Sequence, residues 1–136
     1  MFTGHLFVYG TLMSVASGPL GCAQRRRLQR EAKSLGRATT PGRLYDLGRY
    51  PGLLASASAA HLVHGEVFAL RNPAATLRWL DRYEGIARGE QNRGEYRRAT
   101  RPVRLADGRK LTAWVYLYAR RPNAARLLNN GRWLTE

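Results

Sequence analysis

Few residues of this sequence are suited to act as a nucleophile or to bind a metal. It has a single cysteine, Cys22, and three histidines that are too scattered to complete a zinc pattern with it. One cysteine also cannot form an internal disulfide. The G-x-S-x-G and S-x-x-K motifs of serine hydrolases do not occur, nor do the G-x-G-x-x-G and G-K-[ST] phosphate loops. We therefore expect no metal, no cofactor and no serine hydrolysis.

Long apolar runs are also missing, since the longest have only the length of a strand, such as Leu6 to Tyr9. No basic segment followed by an apolar stretch and a cleavage site begins the chain. These features predict a soluble, cytoplasmic protein with no membrane partner. A chain of 136 residues suits one domain, which we place over residues 1–136.

Acidic residues are scarce, with nine against 23 basic ones and a net charge of +14. The basic residues are mostly spread along the chain, so nucleic acid is not expected as the main partner. The one cluster, RRRLQR at 25–30, is interpreted as a solvated helix face. Its Arg25, Arg26 and Arg30 would also suit a phosphate contact.

Hydrophobic periodicity predicts a succession of strands with helices inserted between them. The predicted strands are His5 to Tyr9, Lys33 to Thr39, Gly42 to Leu47, His64 to Leu70, Tyr96 to Leu105 and Leu111 to Ala119. The predicted helices are Ala23 to Lys33, Pro73 to Glu84 with Asn72 as its N-cap, and a third after Pro122 through Leu128. This order favours an α+β fold with a strongly curved or barrel-like sheet.

The stretch FVYGTLM, residues 7–13, ends the first strand at Gly10. Beyond a strand end, backbone N–H groups lose their ladder partners and can converge on a small anion, with the Thr11 hydroxyl as an added donor. A simple strand-end turn is the alternative, and this segment alone favours it.

In LDRYEG, residues 80–85, Glu84 closes a helix directly before a glycine. A carboxylate is disfavoured there because unpaired carbonyls at a helix C-terminus present negative potential. Such a position, especially beside an apolar pocket, would favour a protonated carboxyl suited to proton transfer. Glu90 and Glu95 are competing candidates, and an ordinary surface glutamate is the alternative for all three.

Taken together, several stretches resemble the γ-glutamylcyclotransferase-like family, in particular its small γ-glutamylamine cyclotransferase-type proteins. They are FVYGTL, LYDLGRYPGLL at 44–54, VHGEVFAL at 63–70, LRWLDRYEG at 77–85, EYRR at 95–98 and AWVYLYAR at 113–120. The most specific are the Y-G-[ST]-L loop and the E-G after a short helix, followed by a Y-x-R strand. The resemblance implies a small, mixed, barrel-like sheet flanked by short helices.

The same resemblance implies a reaction and its residues. Family members convert a γ-glutamyl amide or amine to 5-oxoproline and a free amine, by attack of the substrate's own α-amino group and without a metal. Glu84 matches the catalytic base and acid. The positions that match the substrate-binding loop and the cavity wall are Tyr9, Gly10, Thr11, Leu12, Tyr96 and Tyr116.

One segment departs from the family pattern. GIARGEQNRGE, residues 85–95, is longer and more polar than the usual connection, and it borders the expected cavity. It leaves open which amine is released and whether Glu90 or Glu95 shares the catalytic role. The alternative function is a non-catalytic protein of the same fold that recognises an acidic partner or nucleic acid through its arginines. A monomer and a homodimer are both compatible with the sequence.

Overall fold

The computed structural model describes residues 3–10, 12–13, 16, 21–47, 51–56, 60–83, 96–120 and 126–133. Within these ranges the chain forms seven strands and two helices. The strands are β1 (His5–Val8), β2 (Ala32–Asp46), β3 (Pro51–Ala55), β4 (Leu62–Leu70), β5 (Tyr96–Leu105), β6 (Lys110–Tyr118) and β7 (Arg126–Leu128). The helices are α1 (Cys22–Glu31) and α2 (Pro73–Tyr83). Neither helix has the length and apolar character needed to span a membrane.

Five of the strands close into a barrel in the order β2-β4-β1-β6-β5, because β5 pairs back onto β2. The β1–β6 pair is parallel and the other barrel pairs are antiparallel, so the sheet is mixed. Side chains alternate across each strand, so inward residues such as Phe7, Val67 and Val115 fill the interior. The expected α+β barrel with flanking helices is confirmed.

The helices cover part of the outer face of the barrel. Leu28 of α1 and Leu80 of α2 pack with Leu6 and Phe68 in a second apolar cluster. Burying these faces stabilises both helices, since short helices have little stability of their own. Arg25 of α1 is only 8% exposed, so it does not belong to the solvated face that the sequence suggested.

The longest strand, β2, was predicted as two separate strands. It is one strand of 15 residues that changes partners along its length. Its first part pairs with β4 as far as Pro41, and its last part pairs with β3 and β7 from Gly42 onward. The proline occupies the point where partners change, which is a position that tolerates a residue without an N–H donor.

Two other predictions concern the helices. The proposed third helix is wrong over Arg126–Leu128, which form strand β7 against β2. The N-cap of α2 is confirmed, since Asn72 Oδ1 accepts a hydrogen bond from the backbone N–H of Ala75 at 3.4 Å. The predicted last residue of that helix, Glu84, lies outside the described residues.

Candidate functional site

Tyr9 directly follows β1 and points into the barrel. It is 7% exposed, and its hydroxyl donates a 2.6 Å hydrogen bond to the backbone carbonyl of Tyr116. The same hydroxyl accepts a hydrogen bond from the backbone N–H of Leu53 at 3.3 Å. Tyr9 therefore ties the ends of β1, β3 and β6 together, and its hydroxyl is already engaged within the protein.

The chain turns at Gly10, immediately after Tyr9. The Gly10 carbonyl accepts a hydrogen bond from the backbone N–H of Met13 at 3.1 Å, which closes the turn. A Cβ atom at Gly10 would lie 3.1 Å from Cγ of Pro51, so the turn rests closely against the start of β3. Leu12 is buried in the outer apolar cluster, whereas Thr11 lies outside the described residues. A strand-end turn is thus present at the place where we predicted either a turn or an anion site.

Two tyrosines from neighbouring strands reach the same end of the barrel. Tyr96 of β5 and Tyr118 of β6 are directly paired, with their ring centroids 5.8 Å apart in an edge-on arrangement. The Tyr96 hydroxyl donates a 2.6 Å hydrogen bond to the carbonyl of Pro51. Tyr96 and Gly10 therefore both contact Pro51 and lie close to each other.

Tyr116 connects the barrel to the last turn of α2. Its side chain is 4% exposed, and its hydroxyl donates a 2.6 Å hydrogen bond to Oδ1 of Asp81. The Asp81 carboxylate also accepts two hydrogen bonds from Arg98, from Nε at 2.9 Å and from a terminal guanidinium nitrogen at 3.2 Å. The Arg98 guanidinium stacks over the ring of Trp114, 4.5 Å from its centroid. The planar guanidinium fork therefore fixes the direction of the Asp81 carboxylate.

Tyr116 thus links two segments that the sequence singled out. Its carbonyl binds Tyr9, which precedes the Gly10 turn, and its hydroxyl binds Asp81, which precedes Glu84 by three residues. The structure brings Tyr9, Gly10, Tyr96 and Tyr116 to one end of the barrel. Glu84, Glu90 and Glu95 lie outside the described residues, so the catalytic role of Glu84 stays a prediction.

The sequence analysis missed the role of Asp81 and Arg98, although both lie in quoted motifs. Asp81 precedes Glu84 by three residues in LDRYEG, a sequence spacing of about one turn for a helix. Arg98 follows Tyr96 by two residues on a strand, which places both side chains on one face. These spacings were available signals for an ion pair that supports the site.

His64 and Glu66 lie two residues apart on β4, a spacing that puts both side chains on one face of the strand. Over the described ranges, no three histidine, cysteine or carboxylate side chains are close enough to hold a metal ion. The buried Glu66 carboxylate accepts a hydrogen bond from the Ser34 hydroxyl.

Comparisons with known proteins assign the chain to a family. The family described as gamma-glutamyl cyclotransferase, AIG2-like, matches residues 6–135, so the chain belongs to that family. A relative from Vibrio cholerae that carries a provisional gamma-glutamylcyclotransferase name is 36% identical over 132 residues, which cover 95% of each chain.

Solved structures give the same assignment. An AIG2-like protein from Mus musculus is similar with a TM-score of 0.67 and 25% identity, over 90% of this chain and 82% of that chain. The ytfP protein from Escherichia coli is similar with a TM-score of 0.54 and 30% identity, over 96% of both chains. The resemblance drawn from the sequence is confirmed, and family membership supports a cyclotransferase activity in general.

Proposed function

We propose that the protein is a γ-glutamylcyclotransferase that converts a γ-glutamyl amide or amine to 5-oxoproline and a free amine. The observation that carries this proposal is the double attachment of Tyr116, to Tyr9 through its carbonyl and to Asp81 through its hydroxyl. These two hydrogen bonds attach both the Gly10 turn and the end of α2, which precedes Glu84, to strand β6.

The reaction needs one bond to form and one to break. The substrate's α-amino nitrogen attacks its own γ-carbonyl carbon, and the bond from that carbon to the leaving nitrogen breaks. The α-ammonium gives up two protons, and both finish on the departing amine, which leaves as an ammonium ion. Glu84 carries these protons in turn and ends in its starting state, which is the role of a general base and acid.

Most of the catalytic advantage in this scheme comes from positioning. Holding a substrate in a reactive conformation makes the attack intramolecular, and well-oriented reactions of this kind gain roughly 7–11 kcal/mol. The Gly10 to Leu12 turn supplies backbone donors for the substrate's α-carboxylate. Within the described residues, the Leu12 N–H donates to no other group, which leaves it available for such a contact.

The test is a comparison of three glutamate variants on a panel of γ-glutamyl amino acids and amines, with 5-oxoproline as the measured product. Glu84→Gln is expected to lower kcat by about 10²- to 10⁴-fold, the usual range for loss of a general acid or base. Glu90→Gln and Glu95→Gln are matched controls that remove the same charge from the adjoining segment, and we expect both to stay near wild type.

The outcomes separate the function from the assignment of its base. If the wild-type protein forms no product from any substrate, the proposed enzymatic function is wrong and the non-catalytic alternative is favoured. Full activity in Glu84→Gln, together with a loss in Glu90→Gln or Glu95→Gln, would support the enzymatic function. It would assign the role of general base and acid to Glu90 or Glu95 instead of Glu84.

A further inference from the structure

A pocket of about 200 Å³ lies on the outer face of the barrel where β2, β4 and β5 meet. Its charged and polar walls come from Arg37, Thr39, His64, Arg104 and Arg132. None of these residues takes part in the hydrogen bonds that hold Tyr9, Tyr116 and Asp81 together. The pocket also reaches Met13, whose N–H closes the Gly10 turn, so it adjoins the proposed substrate turn. The arginines that line it have no part in the scheme proposed for cyclotransfer.

The barrel register sets the positions of the wall residues. Thr39 of β2 pairs with His64 of β4 on one side and with Arg104 of β5 on the other. Directly opposed residues project to the same face, with Cβ atoms about 5 Å apart. Arg37 precedes Thr39 by two residues and so lies on that face too. Inward neighbours such as Ala38 and Leu105 confirm that this is the outer face.

The third arginine, Arg132, is held at the pocket by its neighbour Gly131. The Gly131 carbonyl accepts a 2.8 Å hydrogen bond from the backbone N–H of His64, and its φ of 67° lies in the left-handed region. A Cβ atom there would lie 1.9 Å from the Leu62 carbonyl oxygen, so only glycine permits this approach. The segment after β7 is thus laid against β4 with Arg132 beside His64.

The three guanidinium groups have no carboxylate partner among the described residues. Glu66, which faces Arg37 in the register, is buried and binds Ser34. Asp107, near the end of β5, forms its ion pair with Arg109. Burial lowers the pKa of His64, and the adjacent charge of Arg132 lowers it further.

We propose that this pocket binds the phosphoryl group of a small phosphorylated molecule, with Arg37, Arg104 and Arg132 as its ligands. Each guanidinium group can bind two phosphate oxygens at once. Three such groups suit a doubly charged phosphoryl group better than a singly charged carboxylate ligand. The Thr39 hydroxyl adds a neutral donor in the same row. The volume is below the roughly 300 Å³ at which pockets for drug-sized ligands begin, so the phosphoryl group enters while the rest of the molecule stays outside.

The experiment titrates inorganic phosphate and pyrophosphate into the ¹⁵N-labelled protein at low salt and follows backbone and His64 resonances. We expect saturable shifts that centre on Thr39, His64 and Arg104, and a rise in the His64 pKa when the anion is bound. Arg37→Gln, Arg104→Gln and Arg132→Gln should each weaken binding about tenfold, as expected for loss of a hydrogen bond to a charged group. The triple variant should show no saturable binding.

A second triple variant, Arg43→Gln, Arg78→Gln and Arg97→Gln, is the matched control. It removes the same charge from exposed positions on β2, α2 and β5, and we expect phosphate affinity within about twofold of wild type. Circular dichroism on both triples checks that each is folded. An equal loss of phosphate affinity in the two triple variants, or no saturable shift in the wild type, would overturn the proposed phosphoryl site.

A short single-stranded oligonucleotide distinguishes a small ligand from nucleic acid. If it binds more tightly than pyrophosphate and loses affinity equally in both triples, the basic surface binds nucleic acid as a whole and the proposal is wrong. Weaker binding of the oligonucleotide than of pyrophosphate supports it. Because every readout is binding and none needs turnover, failure here leaves the proposed cyclotransferase untouched.

Discussion

The Tyr116 hydroxyl donates a 2.6 Å hydrogen bond to Oδ1 of Asp81, and so ties a barrel strand to the last turn of α2. Arg98 binds the same carboxylate, whose side chain is only 25% exposed. Because the Tyr116 carbonyl accepts the Tyr9 hydroxyl, one residue supports both segments of the proposed site. The two contacts use different groups of Tyr116, so they can be perturbed separately.

Tyr116→Phe removes the hydroxyl bond to Asp81 and keeps the backbone carbonyl that binds Tyr9. We expect the free energy of unfolding to fall by about 1 kcal/mol, the usual net value of one hydrogen bond. We expect kcat/KM for 5-oxoproline formation to fall more, by about tenfold to a hundredfold, because the turn that precedes Glu84 loses an anchor. Urea unfolding and the product assay measure the two effects. Tyr45→Phe, whose hydroxyl has no described partner, should change neither, and wild-type activity in Tyr116→Phe would refute the coupling.

Arg98→Lys tests the guanidinium fork at the same carboxylate. Lysine keeps the charge but loses both the two-point contact with Asp81 and the stacking on Trp114. We expect a loss of about 1 kcal/mol in stability and a drop of several-fold in kcat/KM, since the pair is partly exposed. Arg97→Lys is the matched control on the adjacent, exposed position of β5. Equal behaviour of the two variants would show that the fork does not position the helix end.

Much of the fold could be predicted from the sequence where local pattern and tertiary structure agree. Strand β5 has the predicted bounds, and the N-cap at Asn72 is where its side chain predicted it. The errors lie where long-range pairing decides. Residues 33–39 and 42–47 were predicted as separate strands, but β2 continues through Pro41 because it exchanges β4 for β3 at that point.

The candidate site was predictable in its motifs and not in its contacts. Tyr9 and Tyr116 are 107 residues apart, and no local pattern shows that the hydroxyl of one binds the carbonyl of the other. Nor does local pattern show that Arg37, Arg104 and Arg132 line one pocket. The pairing of β2 with β5 brings Arg37 and Arg104 together, and the hydrogen bond from His64 to Gly131 places Arg132 beside them.

Glu31 links the two helices and predicts a pH dependence of stability. Burial raises its pKa, but hydrogen bonds from Thr76, Trp79 and Arg27 outweigh burial and lower the pKa from 4.5 to about 2. Because the pKa is lowered in the folded state, the stabilisation is complete above pH 4.5 and is lost as the pH falls toward 2.

Glu31→Gln should therefore lower the free energy of unfolding by about 1–2 kcal/mol at pH 7, a value reduced from the full linkage because the carboxylate is 30% exposed. Urea unfolding at several pH values should show this difference from wild type shrinking between pH 4.5 and 2. Asp107→Asn is the control, since that side chain is exposed and its ion pair with Arg109 is exposed too, so its loss should change the urea midpoint little. A difference for Glu31→Gln that stays constant with pH would contradict the assignment.

Gly10→Ala tests the turn that we propose as the carboxylate site. The added Cβ would lie 3.1 Å and 3.3 Å from Cγ and Cδ of Pro51, which is tight enough to shift the turn slightly without unfolding the barrel. We expect less than about 1 kcal/mol of destabilisation and a rise of about tenfold in KM for the γ-glutamyl substrate, because the backbone donors move relative to its carboxylate. Gly4→Ala is matched in chemistry, and its Cβ would meet Pro73 at an ordinary 3.6 Å, so its KM should equal that of wild type. If Gly10→Ala keeps the wild-type KM, the α-carboxylate is bound elsewhere, and the turn only ends the strand.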